Sequence, residues 1–502
     1  MNSELARRIA ALSPEQRRAL STSVAASRSE PDSEVSAVPR GIAPSPCEAS
    51  SNQRYLWLLD QRLPGGNPGW NVFTGAHVIG ALDRDAIHRG LLAIGRRHEI
   101  LRTTLSLVDG KLMQIVSPEI DISMPIVDLG ELSPEQRRQE SRAQITEFYR
   151  RKFDLSKGPL VRPVLFRLGD HEHQLLVIMH HTITDWISFG LLNQELARLY
   201  AGFVTRTSPQ LPADPIQYRD YAYWEKNWEN TAPGQRQLGY WRQRLAGIPR
   251  RMPLPWDYVP PSVQSAAGAR VPVSLPAHES AALRRSCRQA GVSPFVAILA
   301  AFKLILARFS NCFDVVVGSP VIGRTISGTD HGLGLYLNHV ALRTDVSGQI
   351  DYPTLLERVT RTVMEAYANQ QIPFGRVATE LNPDLDPGFT PLFQVMFFFL
   401  AEPVIHPFLG LQWKNLEAYG ETSRYDLLLS LWERADGISG VLEYNTSLFS
   451  SATVAGVVRA IERVLTLLAT DFNRPYQALH EAAEPSPIEH EALRAARSTH
   501  VN

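Results

Sequence analysis

The chain has 502 residues, enough for roughly two to four domains, and its composition is that of a globular protein, 44% hydrophobic and 20% charged. Lys plus Arg and Asp plus Glu both number 51, which argues against the basic excess of a nucleic-acid-binding domain. Three cysteines, Cys47, Cys287 and Cys312, are too few and too scattered for a disulfide framework or a zinc pattern and fit a reducing cytoplasm.

The first residues, Met1 to Arg8, carry no apolar core of a signal peptide. Leu5, Ile9, Leu12 and Leu20 predict a short amphipathic helix over 4–20, interrupted at Ser13-Pro14. Ser21 to Pro46 is rich in Ser, Ala and Pro and reads as a flexible linker. Residues 1–46 are therefore a helix and linker, either a loose tail or a docking element for a partner protein.

The folded part begins near Ala49. Asn52 to Asp60 is amphipathic, and Ala81 to Arg97 has a helical pattern. Leu175 to Met179 is an unbroken apolar run behind a Gly169-Asp170 turn and predicts a buried strand. It runs into His180-His181-Thr182-Ile183-Thr184-Asp185, and a helix follows with Ile187, Leu191, Leu192, Leu196 and Leu199 on one face. Strand side chains alternate, so His180 and His181 are expected to face apart. A histidine is a base at neutral pH, and Asp185 could cap the helix or anchor an ion pair.

Further on, Pro253 to Pro261 reads as a crossing between lobes. Val292 to Phe309 contains Lys303 and Arg308 and reads as a core helix, not a membrane span. A strand over Asp314–Gly318 leads to Arg324. Asp471 to Asn502 is expected to form a polar tail. No Gly-x-Ser-x-Gly or P-loop occurs. His171, His173, His180 and His181 lack the Cys or carboxylate that would complete a zinc shell.

His180-His181-x-x-x-Asp185 with Ser188 resembles the core motif of nonribosomal peptide synthetase condensation domains, of the chloramphenicol-acetyltransferase-like superfamily. Six further segments resemble that family's motifs in the same order: Asn52–Asp60, Arg97–Thr104, Tyr218–Trp224, Leu335–Arg343, Ile372–Phe374 and Pro391–Phe397. The likeness runs from about residue 50 to about 470. It implies an α/β (α+β) fold of two lobes in a V, 47–215 and 216–470, with mixed sheets packed by helices, a tunnel between them and a tail over 471–502.

The resemblance also implies an activity. A free-standing condensation enzyme would transfer an acyl group from a phosphopantetheine thioester to an amine or hydroxyl, in nonribosomal peptide or polyketide biosynthesis. An acyl or peptidyl carrier protein would deliver the arm, and the acceptor would be small or carrier-bound; the enzyme itself would hold no cofactor or metal. A cytoplasmic monomer with no nucleic-acid or membrane partner is expected. His181 would be the catalytic base. His180, Asp185 and Arg324 would be structural, Asp185 pairing with Arg324 from the other lobe, and His98 would also be structural. Ser188 and Asn338 would line the tunnel. Trp186 stands where the family has glycine: it could block the acceptor side, pack into its own lobe or reshape the acceptor channel. Two other readings stay open. Plant-type acyl-coenzyme A acyltransferases share His-x-x-x-Asp, but their Asp-Phe-Gly-Trp-Gly element is absent. Some condensation-like domains act as non-catalytic recruitment platforms.

Overall fold

Apolar runs rich in Val, Leu and Phe form the strands, and capped amphipathic runs form the helices that cover them. The computed structural model describes residues 37–484 apart from 64–65, 349, 383–385, 402–405, 417–420 and 475. In chain order the elements are β1 (Cys47–Glu48), α1 (Ser51–Asp60), β2 (Asn71–Ile79), α2 (Arg84–Arg97), β3 (Thr103–Val108), β4 (Lys111–Val116), β5 (Ile126–Asp128), α3 (Pro134–Arg150), β6 (Val161–Gly169), β7 (Glu172–His180), α4 (Trp186–Thr205), α5 (Tyr218–Glu229) and α6 (Ala232–Arg244). The second half continues with β8 (Gly268–Pro276), α7 (Ala277–Ala290), α8 (Pro294–Ser310), β9 (Asp314–Val321), β10 (Asn338–Asp345), α9 (Tyr352–Ala368), α10 (Phe374–Leu381), β11 (Val395–Ala401), β12 (Gln412–Asn415), β13 (Leu427–Arg434), β14 (Gly437–Asn445), α11 (Ser451–Thr470) and α12 (Tyr476–Ala483).

Two mixed sheets carry the fold. One has the strand order β12-β2-β7-β6-β5 and the other β10-β9-β11-β13-β14-β8, with a small β1-β4-β3 sheet beside the first. β7 is central and buried along most of its length, as its Leu175–Met179 run requires. α2 starts later than the pattern suggests because the Asp83 side chain accepts the Ala86 N–H and caps it there. α8 opens with Ser293 as cap and Pro294 in the first turn and closes at Asn311 in the left-handed region, φ 51°. It is buried along twelve consecutive positions, Val296 to Ala307. Among the described residues no single helix is long and apolar enough to cross a membrane.

The second half of the chain lends a strand to the first. β12 pairs antiparallel with β2, Trp413 opposite Val78. The Trp413 ring stacks on Phe408 at 3.7 Å, and Phe408 in turn meets Tyr200 of α4 at 5.9 Å. The division at residues 215 and 216 is thus crossed again.

Both ends of the folded part differ from expectation. The flexible linker drawn over Ser21–Pro46 does not extend through 37–46: Ala37 bridges Ser327, and the buried Asp220 carboxylate accepts the Gly41 and Ala43 N–H groups at 2.8 and 3.0 Å. An internal carboxylate that needs donors ties this stretch down. The predicted helix over 4–20 lies outside the described residues. The polar tail from Asp471 begins with buried Phe472 and the helix α12, whose Leu479 and Ala483 are buried. Residues 485–502 are outside the described residues.

Candidate active site

β7 ends at His180, and His181 opens a single 3-10 turn over His181–Ile183. The two histidines diverge because the chain leaves the sheet between them, not through continued strand alternation. His180 is buried; its Nδ1 faces the Thr182 hydroxyl at 2.9 Å and accepts the Thr182 N–H at 3.3 Å. That leaves its Nε2 directed at Asp60, 3.6 Å away at the end of α1. Gln53 of the same helix donates to the Thr182 carbonyl at 3.0 Å. α1 therefore holds the histidine turn from behind.

His181 is part-exposed. Its Nδ1 lies 2.8 Å from the Thr184 carbonyl, which can only accept, so that nitrogen carries the proton. Nε2 has no partner among the described residues and keeps its lone pair. The ring stays neutral: burial first, then the Arg424 guanidinium, pushes its pKa down to about 4, although the Thr184 carbonyl and Asp185 work the other way. The part-exposed area and the strong desolvation are compatible, since one edge of the ring is open while dense protein surrounds the rest.

Asp185 is the N-cap of α4, and its Oδ1 accepts the Ser188 N–H at 2.7 Å. Its Oδ2 accepts the Tyr336 and Leu337 N–H groups at 3.0 and 3.1 Å. Arg324 reaches both oxygens, at 3.2 and 3.4 Å. Capping and ion pairing, alternatives in the sequence, coexist. Arg324 also donates to the Ser188 hydroxyl and to the Thr329 and Gly332 carbonyls, and it stacks over the Tyr336 ring at 4.2 Å. The approach is tight at Gly323, φ 67°, where a Cβ would stand 1.7 Å from the Tyr336 carbonyl oxygen; only glycine fits there.

Ser188 and Asn338, expected to line a tunnel, are braces instead. Ser188 is buried; its hydroxyl donates to the Gly334 carbonyl and accepts from the Gly334 N–H and from Arg324. Asn338 donates to the Gln370 and Ile372 carbonyls, and its Oδ1 accepts the Phe374 N–H at 2.7 Å. Buried polar groups must find partners, and these found them within the protein. His98 is likewise internal, 3.0 Å from Glu195. Trp186, first residue of α4, is half-buried, and among the described residues it is not one of the side chains packed against the core. That removes the support for packing into its own lobe.

Two residues at the site were not singled out from the sequence. His339 on β10 meets the Phe374 and Phe393 rings at 5.9 and 6.5 Å. Burial, then competition with the neighbouring His181 for a proton and the Arg424 charge, drives its pKa down to about 3. Arg424 lies just before β13 over Trp70, at 5.9 Å. His339 sits inside the segment Leu335–Arg343, where a titratable residue next to Asn338 was a usable signal; nothing local marked Arg424. A cavity of about 630 Å³ lies elsewhere, lined by Tyr240, Gln243, Arg244, Asp314, Arg343 and Asp345, and includes none of these residues. Its Arg343 is already paired with Asp314.

Two mixed sheets covered by helices, with the histidine turn after β7 tied through Asp185 to the connection between β9 and β10, define a chloramphenicol-acetyltransferase-like fold of the condensation type. A family model described as the condensation domain matches residues 46–493, and the chain belongs to that family. It is 36% identical over 430 residues to a linear gramicidin synthase of Brevibacillus parabrevis, covering 85% of this chain and 8% of that protein. The chain thus spans less than a tenth of that relative's length. The crystal structure of the X-domain from teicoplanin biosynthesis is similar at TM-score 0.80 and 26% identity, over 88% of this chain and 99% of that one. The same likeness holds for the complex of the X-domain and OxyB from teicoplanin biosynthesis, at TM-score 0.78 and 26% identity, over 88% and 97% of the two chains.

Proposed function

We propose that this chain transfers an acyl group from the phosphopantetheine thioester of an acyl or peptidyl carrier protein to an amine or hydroxyl acceptor. The observation that carries the reading is His181: Nδ1–H is committed to the Thr184 carbonyl, and Nε2 is unpartnered among the described residues on a ring kept neutral. A nucleophile placed against Nε2 attacks the thioester carbonyl carbon. The new C–N or C–O bond forms and the C–S bond breaks. The acceptor's proton passes to Nε2 and on to the departing thiolate. A base with so low a pKa holds the proton only briefly, so its main work is orienting and relaying. Trp186, half-buried at the head of α4 and outside the core packing, lines the acceptor approach. The phosphopantetheine arm belongs to the carrier partner and enters as substrate.

The test is an intact-mass assay with an acyl-loaded carrier protein and a panel of amines, alcohols and carrier-bound amines. Loss of the acyl group to an acceptor, dependent on His181, supports the reading. Equal efficiency with free acyl-coenzyme A would instead favour an acyl-coenzyme A acyltransferase. A second reading, a docking platform for another enzyme, draws on the likeness to an X-domain that assembles with OxyB. A native chain inert toward every acceptor would favour it.

A further inference from the structure

Arg424 is part-buried, and its guanidinium stands 5.9 Å from the centre of the buried Trp70 ring. Asn71, the next residue, pairs across the sheet with His180. Trp70 thus adjoins the residue paired with the end of β7, and the Arg424 charge reaches His181. The Arg424 backbone is fixed, since its carbonyl accepts from Gln264 and Thr390, both at 3.3 Å. Among the described residues no carboxylate or hydrogen-bond acceptor pairs with its guanidinium. Neighbouring arginines differ: Arg324 holds Asp185, Arg251 holds Asp426 and Arg270 holds Glu443. Glu443, whose charge reaches Tyr149 and Tyr425 as that of Arg424 does, is thus already occupied.

A part-buried guanidinium without a counter-ion is placed to take an anion. The charge also bears on both His181 and His339. We propose that Arg424 binds a free carboxylate on the acceptor and so sets its amine or hydroxyl against Nε2 of His181. The inference rests on the acyl-transfer reading and names its acceptor class: free amino or hydroxy acids. The guanidinium fork matches a carboxylate through two parallel N–H···O bonds. An acceptor loaded on a carrier has its carboxyl tied up in a thioester and offers no anion. Docking of the carboxylate also offsets the cation beside His181, which then takes the acceptor's proton more readily.

The experiment compares the native protein, Arg424→Met and Arg424→Lys, using an acyl-loaded carrier protein with glycine against glycinamide and alanine against alaninamide. The native KM for each acid should lie about 10–100-fold below that for its amide, the range of a charge-assisted pair. Arg424→Met should collapse that ratio toward one, and Arg424→Lys should restore part of it. Equal native KM values for acid and amide would overturn the proposal. So would a loss confined to kcat and alike for both, which would move the cation to the developing oxyanion. Binding of N-octanoylglycine against N-octanoylglycinamide, followed by tryptophan fluorescence, needs no turnover. Tighter binding of the acid, lost in Arg424→Met, supports the anion site even if no acceptor is acylated, a result that counts against acyl transfer alone. Equal binding of the two overturns the anion site and leaves acyl transfer standing. If Arg424→Met does not fold, Arg424→Lys and the native acid-to-amide ratios decide.

Discussion

Asp185 and His181 are four residues apart, and the protein treats their polar atoms in opposite ways. Both oxygens of Asp185 are filled, by Arg324, by three backbone N–H groups, and through Arg324 by a link to the Ser188 hydroxyl. Across the turn, among the described residues, Nε2 of His181 has no hydrogen-bond partner, the Arg424 guanidinium has the Trp70 ring but no counter-ion, and Trp186 is not among the side chains packed on the core. The filled side joins elements from both halves of the chain and fixes geometry. The unfilled side bears the cost of unmet polar groups, which is tolerable where a substrate completes them. The filled oxygens mark Asp185 as part of the scaffold, and the open Nε2 of His181 marks the face where acyl transfer is proposed.

Breaking the scaffold should have the largest effect. Asp185→Ala strips a buried arginine and three N–H groups of their acceptor, and should cost about 3–5 kcal/mol of stability. A thermal melt that overlays the native curve would refute the bracing role. On the open face, His181→Ala should lower turnover about 10²–10⁴-fold with little change in melting temperature. Native-rate transfer by that variant would remove His181 from the chemistry. The pair together sharpens the contrast: one substitution acts on stability first, the other on rate alone.

Proton uptake gives a subtler probe. Because burial disfavours the imidazolium, folded His181 stays unprotonated down to about pH 4, below the ordinary histidine range near 6.5. The acid limb of kcat/KM should therefore fall through about pH 4, and Arg424→Met, by removing a cation, should move it upward. The unfolded chain binds this proton at higher pH than the folded one, so stability declines as pH drops from about 6.5 toward 4. An acid limb at the ordinary histidine value would contradict the desolvated site. The smallest effect is expected from Trp186→Gly, which should retain transfer while reordering small acceptors against carrier-bound amines. An unchanged order would take the indole out of the acceptor approach.

Local pattern disclosed much of this architecture. The apolar run Leu175–Met179, the helix period after Asp185 and the apolar stretch Val292–Phe309 each state their own structure. The pairing of Asp185 with Arg324 came from family likeness, because an ion pair between distant segments leaves no local trace. Ser188 and Asn338 were misjudged for a related reason: a polar side chain announces that it needs partners, not which partners it has. Arg424 was hidden because its significance is the lack of a counter-ion, a property of the assembled fold. The strand Gln412–Asn415 was missed because four residues with a single inward Trp413 have no legible alternation.

That short strand bears on how such a protein could be recombined. A hybrid joined near residue 215, taking its first half from one relative and its second from another, would inherit a foreign edge for β2. Trp413 and Phe408 from one parent would have to fit Val78 and Tyr200 from the other. Tyr200 sits on the helix capped by Asp185, so a poor fit at this seam would reach the histidine turn along α4. Grafts that carry residues 408–416 together with the first lobe keep the seam within one parent.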